Sequence, residues 1–174
     1  HFAYEEYSVL DTVIMGNKHL YDIMKEKDAL YMKEDFSDED GLRASELEGE
    51  FAELNGWEAE SDASKLIQGL GLTDDMLYMT MSDCRESEKV KVLLAHALFG
   101  KPDIILLDEP TNGLDVLTAK VVTDFLLELR AQGRTVILST HIFSLIEKVC
   151  DRVAVVIDGQ LAACDELDKL RDGL

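Results

Sequence analysis

Asp108 and Glu109 are adjacent carboxylates at the end of an apolar run, Ile-Ile-Leu-Leu at 104–107, and Pro110 closes the run. Such a run reads as a strand buried on both faces of a parallel sheet. Acidic groups at the carboxyl end of such a strand stand where open α/β sheets bind ligands. Asp108 is the candidate magnesium ligand, because a hard cation that bridges phosphates is held by one or two carboxylates plus waters. Glu109 is the candidate general base for the water that attacks a γ-phosphate. Together they are the equipment of nucleoside triphosphate hydrolysis. A second apolar run, 135–138, ends in Ser139-Thr140-His141 and puts His141 just past a strand end, in a position to hydrogen-bond a γ-phosphate. Asp115 ends the polar loop after Pro110, where it can also cap the next helix.

These groups need elements to hold them. From residue 87 the chain alternates: helix 88–99, strand 104–107, helix 116–132, strand 135–138, helix 142–150, strand 153–157. Asp158-Gly159 is a turn signal, followed by a short strand at 161–163 and a last helical turn at 167–170. Alternation of strand and helix predicts a parallel sheet with right-handed crossovers. Residues 1–80 read as helical instead. Ser8 can cap a helix at 9–15, Asn17 the next, Ser37 with Asp40 a helix at 42–54, and Ser61 one at 63–70. Thr73 can cap a short helix at 74–78. The division expected is a helical, arm-like region at 1–86 and a strand-bearing core at 87–174.

The motifs resemble those of ATP-binding-cassette (ABC) ATPases. Residues 104–109 look like the Walker B strand, Asn112-Gly113-Leu114-Asp115 like the D-loop, and Ser139-Thr140-His141 like the strand with the switch histidine. The 26 residues from Asp115 to His141 fit one intervening helix. The resemblance implies an α/β fold: a partial P-loop NTPase-type parallel sheet (the Walker B half) with a helical subdomain. It implies ATP and Mg2+ as cofactors, with Asp108 on the metal, Glu109 and His141 in catalysis, and Asp115 in communication across a cassette dimer. Residues 2–6, the acidic helical insert and Gly-Glu-Phe-Ala-Glu-Leu-Asn-Gly-Trp at 49–57 resemble the first cassette of the ABC-F class, soluble proteins of which many act on the ribosome. From about Val122 onward the text, through Gly133-Arg134-Thr135 to His141, resembles cassettes of ABC-2-type exporters. The chain therefore reads as a splice of two subfamilies.

Two departures from the family pattern bear on activity. No Gly-x-x-x-x-Gly-Lys-Ser/Thr occurs in the 174 residues, so ATP and Mg2+ would need a P-loop supplied from elsewhere. The signature motif, Leu-Ser-Gly-Gly-Glu, falls on Cys84-Arg85-Glu86-Ser87-Glu88. Ser87 keeps a hydroxyl for a nucleotide contact, but Glu86 puts a negative charge where phosphate belongs. A catalytic thiol at Cys84 is the weaker reading of that segment.

Composition bounds the rest. The net charge of −19, from 36 acidic and 17 basic side chains, repels phosphate backbones and disfavours broad nucleic-acid binding. No apolar run approaches a membrane span, and the start lacks the pattern of a signal peptide. Three cysteines without metal-ligand spacing read as reduced thiols, giving a cytoplasmic expectation. The reading is an ABC-type ATPase cassette fragment, inactive alone. The rivals are a non-catalytic scaffold whose acidic helical surface meets a protein partner, and a designed or spliced sequence without selected function. The partners expected are a second cassette or P-loop-bearing chain, or other copies through strand edges. The family adds the ribosome or a membrane domain, without direct membrane insertion. In cassettes of this motif order another strand lies between the second and third strands here. Direct pairing of 135–138 with 153–157 is the expected way to close that slot.

Overall fold

The computed structural model describes residues 4–172. Phe2, which the family resemblance used, lies outside them. The chain divides into two compact units, His1–Pro102 and Asp103–Leu174. The expected boundary at 86/87 falls earlier because α5 (Glu86–Leu98) packs against α1 (Val9–Ile14) and α4 (Ala59–Gly69), and so joins the helical unit.

In that unit α1 starts where Ser8 Oγ accepts the Asp11 amide at 3.0 Å. α2 (Lys18–Tyr31) starts where Asn17 Oδ1 accepts the Leu20 amide. Both caps satisfy amides that lack a partner in the first turn. Gly16 ends α1 against α5: a Cβ there would stand 1.9 Å from the His96 carbonyl oxygen, so only glycine fits. The core is mainly apolar, with Thr12 buried among it. Val13, Ile67, Met81 and Val92 are fully buried, and truncating such a side chain to alanine costs about 2–5 kcal/mol for the larger ones. α4 begins at Ala59 and not at the expected Ser61, because a 3-10 turn at Gly56–Glu58 runs straight into it. A second 3-10 turn, Asp74–Tyr78, forms where expected, but Thr73 makes no cap bond to it.

α2 and α3 (Asp38–Glu53) form a hairpin that buries Leu30, Leu47 and Phe51 and that ion pairs cross at its surface. Lys27 Nζ lies 2.8 Å from Glu48 Oε2 and 3.9 Å above the Phe51 ring. Its long stem is buried while its head keeps an anion and an aromatic face. Arg43 grips Glu26 with two bonds, Nε to Oε1 at 2.8 Å and a terminal nitrogen to Oε2 at 3.1 Å. At the α3 start a capping box closes on Ser37 and Asp40. Lys33 and the Ser37 backbone and hydroxyl donors hold the Asp40 carboxyl down to about 2. A lowered folded-state value means that this contribution is complete above the ordinary Asp range near ~3.9 and is lost as pH falls toward about 2. NMR titration is therefore expected to put the Asp40 midpoint near 2, and Lys33→Ala should move it back up. A midpoint in the ordinary range would contradict the Lys33 contact.

The second unit runs β1 (Ile104–Asp108), α6 (Val116–Ala131), β2 (Thr135–Ser139), α7 (Phe143–Val149), β3 (Arg152–Ile157), β4 (Gln160–Glu166) and α8 (Leu167–Asp172). β1 and β2 pair in parallel, Ile104 opposite Thr135 through Asp108 opposite Ser139. β3 and β4 form an antiparallel hairpin whose turn residues, Asp158 and Gly159, have φ of 50° and 74°. Two positive φ values in a two-residue loop match the right-handed twist of the strands they join.

Two expectations about the sheet are corrected. β1 is not buried on both faces: Ile105 is buried, while Ile104 and Leu106 are 61% and 74% exposed. Among the described residues only one of its faces is covered. Direct pairing of β2 with β3 does not occur either, because the strands belong to two separate two-stranded sheets. A cleft of about 460 Å³ lies between them, lined by Val136, Leu138, Thr140, Val153 and Val156 among others. The expectation assumed a dry slot, in which each unpaired amide costs about 1–3 kcal/mol. Both strands are largely solvent-exposed, so their free edges are open to water and direct pairing is not required.

Candidate functional site

The register of β1 on β2 sets the site. Because Asp108 stands opposite Ser139, the residues that follow each strand leave the sheet side by side at its carboxyl end. The Glu109 amide donates to the Ser139 carbonyl at 2.9 Å and extends the ladder by one bond. Glu109 has φ of +44° and precedes Pro110. A residue before proline favours extended backbone, and a non-glycine residue at positive φ is uncommon, so the turn holds Glu109 in a strained conformation.

The side chains then converge. Ser139 Oγ donates to Asp108 Oδ1. His141 Nδ1 lies 2.7 Å from Glu109 Oε1, and Thr140 Oγ1 donates to Glu109 Oε2 at 3.3 Å. The Thr140 hydroxyl also accepts the Ile142 amide at 3.1 Å, which fixes it. Each Glu109 oxygen thus has one protein partner and retains a free lone pair. An ionised carboxylate only accepts, so the Nδ1 proton belongs to His141. Its Nε2 can then donate to a third group only when the ring is an imidazolium.

Asp108 is exposed and bonded to one hydroxyl, and the described residues hold no group of three or more side chains able to chelate a metal. A single hard-oxygen carboxylate suits Mg2+, which keeps waters and takes its remaining ligands from phosphates. Asp115 sits in the same loop with its carboxylate spent locally. It accepts the Leu117 amide at 2.9 Å, the Thr118 amide at 3.1 Å and the Thr118 hydroxyl at 2.6 Å. The Thr118 bonds hold its carboxyl below the usual range. Ser87 belongs to the helical unit, half-buried in the first turn of α5. There Glu88 Oε2 accepts the Arg85 amide at 2.8 Å, and Glu86 pairs with Lys89 at 3.3 Å.

So Asp108, Glu109 and His141 come together, while Asp115 serves its helix and Ser87 stands in the other unit. Sequence reading missed the hydroxyls of Ser139 and Thr140 as partners of the two carboxylates. The signal was available: aligning the ends of the two apolar runs sets Ser139 opposite Asp108. Cys84 is inert. Its thiol is buried, burial pushes it up, and its sulfur lies 3.6 Å from the Thr80 carbonyl oxygen. A reactive thiol needs the opposite environment.

This fold, parallel strands with the acidic pair at their carboxyl end and a separate helical unit, is the α/β fold of ABC ATPase cassettes. A putative metal-chelate type ABC transporter in an inward-facing conformation matches it with a TM-score of 0.66 at 20% identity, over 97% of this chain and 55% of that one. MJ0796, a bacterial ABC transporter cassette solved as a dimer, matches with a TM-score of 0.58 at 26% identity, over 64% of this chain and 48% of that one. Among curated proteins, the chain is 59% identical over 154 residues to the uncharacterized ABC transporter ATP-binding protein YkpA of Bacillus subtilis. That match covers 88% of this chain and 28% of YkpA, so the chain spans under a third of that relative's length. No protein-family model matches the chain.

Proposed function

We propose that this chain is the Walker B portion of an ABC-type ATPase, with Mg-ATP hydrolysis as the activity its residues serve. The observation that carries the reading is the convergence of Asp108, Glu109, Thr140 and His141 at the carboxyl ends of one parallel strand pair. In this reading Asp108 holds Mg2+, which supplies charge neutralisation on the phosphates when bound. Glu109 takes the proton of the attacking water, and His141, oriented through Nδ1, donates from Nε2 to the γ-phosphate when its ring is an imidazolium. The phosphate cradle comes from a P-loop outside these 174 residues, in a longer chain or a partner. The family resemblance assigns Asp115, and separately Ser87, to contacts with bound nucleotide or a second cassette, and the dimeric neighbour makes a paired arrangement reasonable.

The test supplies the missing part. The chain is mixed with a separately produced P-loop-bearing half of a related cassette, and phosphate release from Mg-ATP is followed. Release above the sum of the two halves is expected, with loss on His141→Ala. No release at any ratio, although the halves associate, would overturn the assignment. A second reading, a non-catalytic cassette, is favoured by Glu86 at the start of α5. There the helix end that attracts anions already carries acidic side chains. In that case the same mixture binds nucleotide without turnover.

A further inference from the structure

We infer that Asn112 is a site of spontaneous hydrolytic deamidation, through attack by the Gly113 backbone nitrogen on its side-chain amide. Asparagine loses its amide when the nitrogen of the next residue reaches Cγ. Glycine, without a Cβ, shields that nitrogen least. Asn112 and Gly113 are both exposed, in the turn between Pro110 and Asp115. Gly113 has φ of +72°, and a Cβ built on it would meet nothing within 4 Å. The neighbouring amides are engaged: Asn112 donates to the Glu109 carbonyl at 3.0 Å, and Leu114 to the Thr111 carbonyl at 3.4 Å. Among the described residues the Gly113 amide and the Asn112 side chain have no protein partner. Neither reacting group must break a protein bond before they meet.

The chemistry needs only water. The Gly113 amide gives its proton to solvent base, and its nitrogen bonds to Asn112 Cγ. The Cγ–Nδ2 bond breaks and ammonia leaves, which closes a cyclic imide. Water then adds to one of the two imide carbonyls. Breaking the bond from the nitrogen to Cγ restores the ordinary backbone with aspartate at position 112. Breaking the bond from the nitrogen to the main-chain carbonyl carbon gives isoaspartate.

A second Asn-Gly pair in the chain shows what protects such a pair. Gly56 is buried, and a Cβ there would stand 2.2 Å from the Phe51 ring. The Phe51 and Trp57 rings meet edge to face at 4.9 Å across the same 3-10 turn. Attack on Asn55 requires that packing to open first.

Deamidation puts a further carboxylate into a loop that already carries Asp108, Glu109 and Asp115. Isoaspartate also adds a backbone carbon, lengthening the path from β1 to the α6 cap. The modification does not rest on the ATPase reading. In that reading the added charge opposes the phosphates of ATP.

The full chain is incubated in mildly alkaline buffer, and peptide mass mapping follows both Asn-Gly pairs. The Asn112 peptide is expected to convert to the acid. Asn55 should convert about tenfold more slowly or less, because a packed residue must first open locally. The Asn112 rate should rise with pH, since the deprotonated amide attacks. Isoaspartate is read independently by protein isoaspartyl methyltransferase with labelled S-adenosylmethionine, and Asn112→Gln should remove most of that label. Circular dichroism unchanged by Asn112→Gln shows that the fold is retained. Conversion at Asn55 as fast as at Asn112, a rate indifferent to pH, or label that persists in Asn112→Gln would each overturn the proposal. So would an Asn112 peptide that keeps its amide while Asn55 converts.

Discussion

Titrated with Mg-ATP in a calorimeter, the 174-residue chain is expected to show a dissociation constant no tighter than millimolar, about −4 kcal/mol of binding free energy. The reason lies in what the site contains. Asp108, Glu109 and His141 can act on a metal, a water and a γ-phosphate, but none of them cradles the α- and β-phosphates. That work belongs to a row of backbone amides in a glycine-rich loop, and no such loop occurs in this sequence. The groups present are also occupied with one another: Ser139 on Asp108, His141 and Thr140 on Glu109. Nucleotide must compete with those bonds. Supplying a P-loop-bearing half should tighten binding by at least two orders of magnitude. A micromolar constant for the chain alone would show a phosphate site elsewhere in it and refute the account.

The second large effect is on turnover. In whatever assembly hydrolyses ATP, Glu109→Gln is expected to lower the rate about 10²- to 10⁴-fold, the range that a positioned general base contributes. The amide still accepts a hydrogen bond from His141 and fills the same volume, but it cannot take the water's proton. Nucleotide affinity should hold, so the loss falls on the chemical step. Turnover unchanged by this substitution would mean that another group is the base, and that Glu109 serves only to orient His141.

The two carboxylates were legible in the sequence because they depend on local chemistry. An apolar run closed by Asp-Glu-Pro, and another closed by Ser-Thr-His, fix strand ends without knowledge of the rest of the chain. The helix caps at Ser8, Asn17 and Ser37 were legible for the same reason, since each bonds within three residues of itself. What failed was nonlocal. Nothing in residues 135–157 says whether β3 pairs with β2 or with β4; the Asp158-Gly159 turn favours the nearer partner, and that hairpin forms. The exposure of Ile104 and Leu106 was illegible too, because composition states which residues want cover and not whether cover is present. The positive φ of Glu109 runs against the preference of a pre-proline residue, so local rules point away from it.

The division at Pro102/Asp103 puts the altered start of α5 and the acidic pair of β1 in different compact units. Each unit buries its own side chains: Ile67, Met81 and Val92 in one, Val122 and Leu126 in the other. Changes at 84–88 and changes at 108–109 therefore fall in separately packed units. A lineage can change the start of α5 while the carboxylates at the end of β1 persist under independent selection. In such a case decay would be one-sided, confined to one packed unit while the other is left intact.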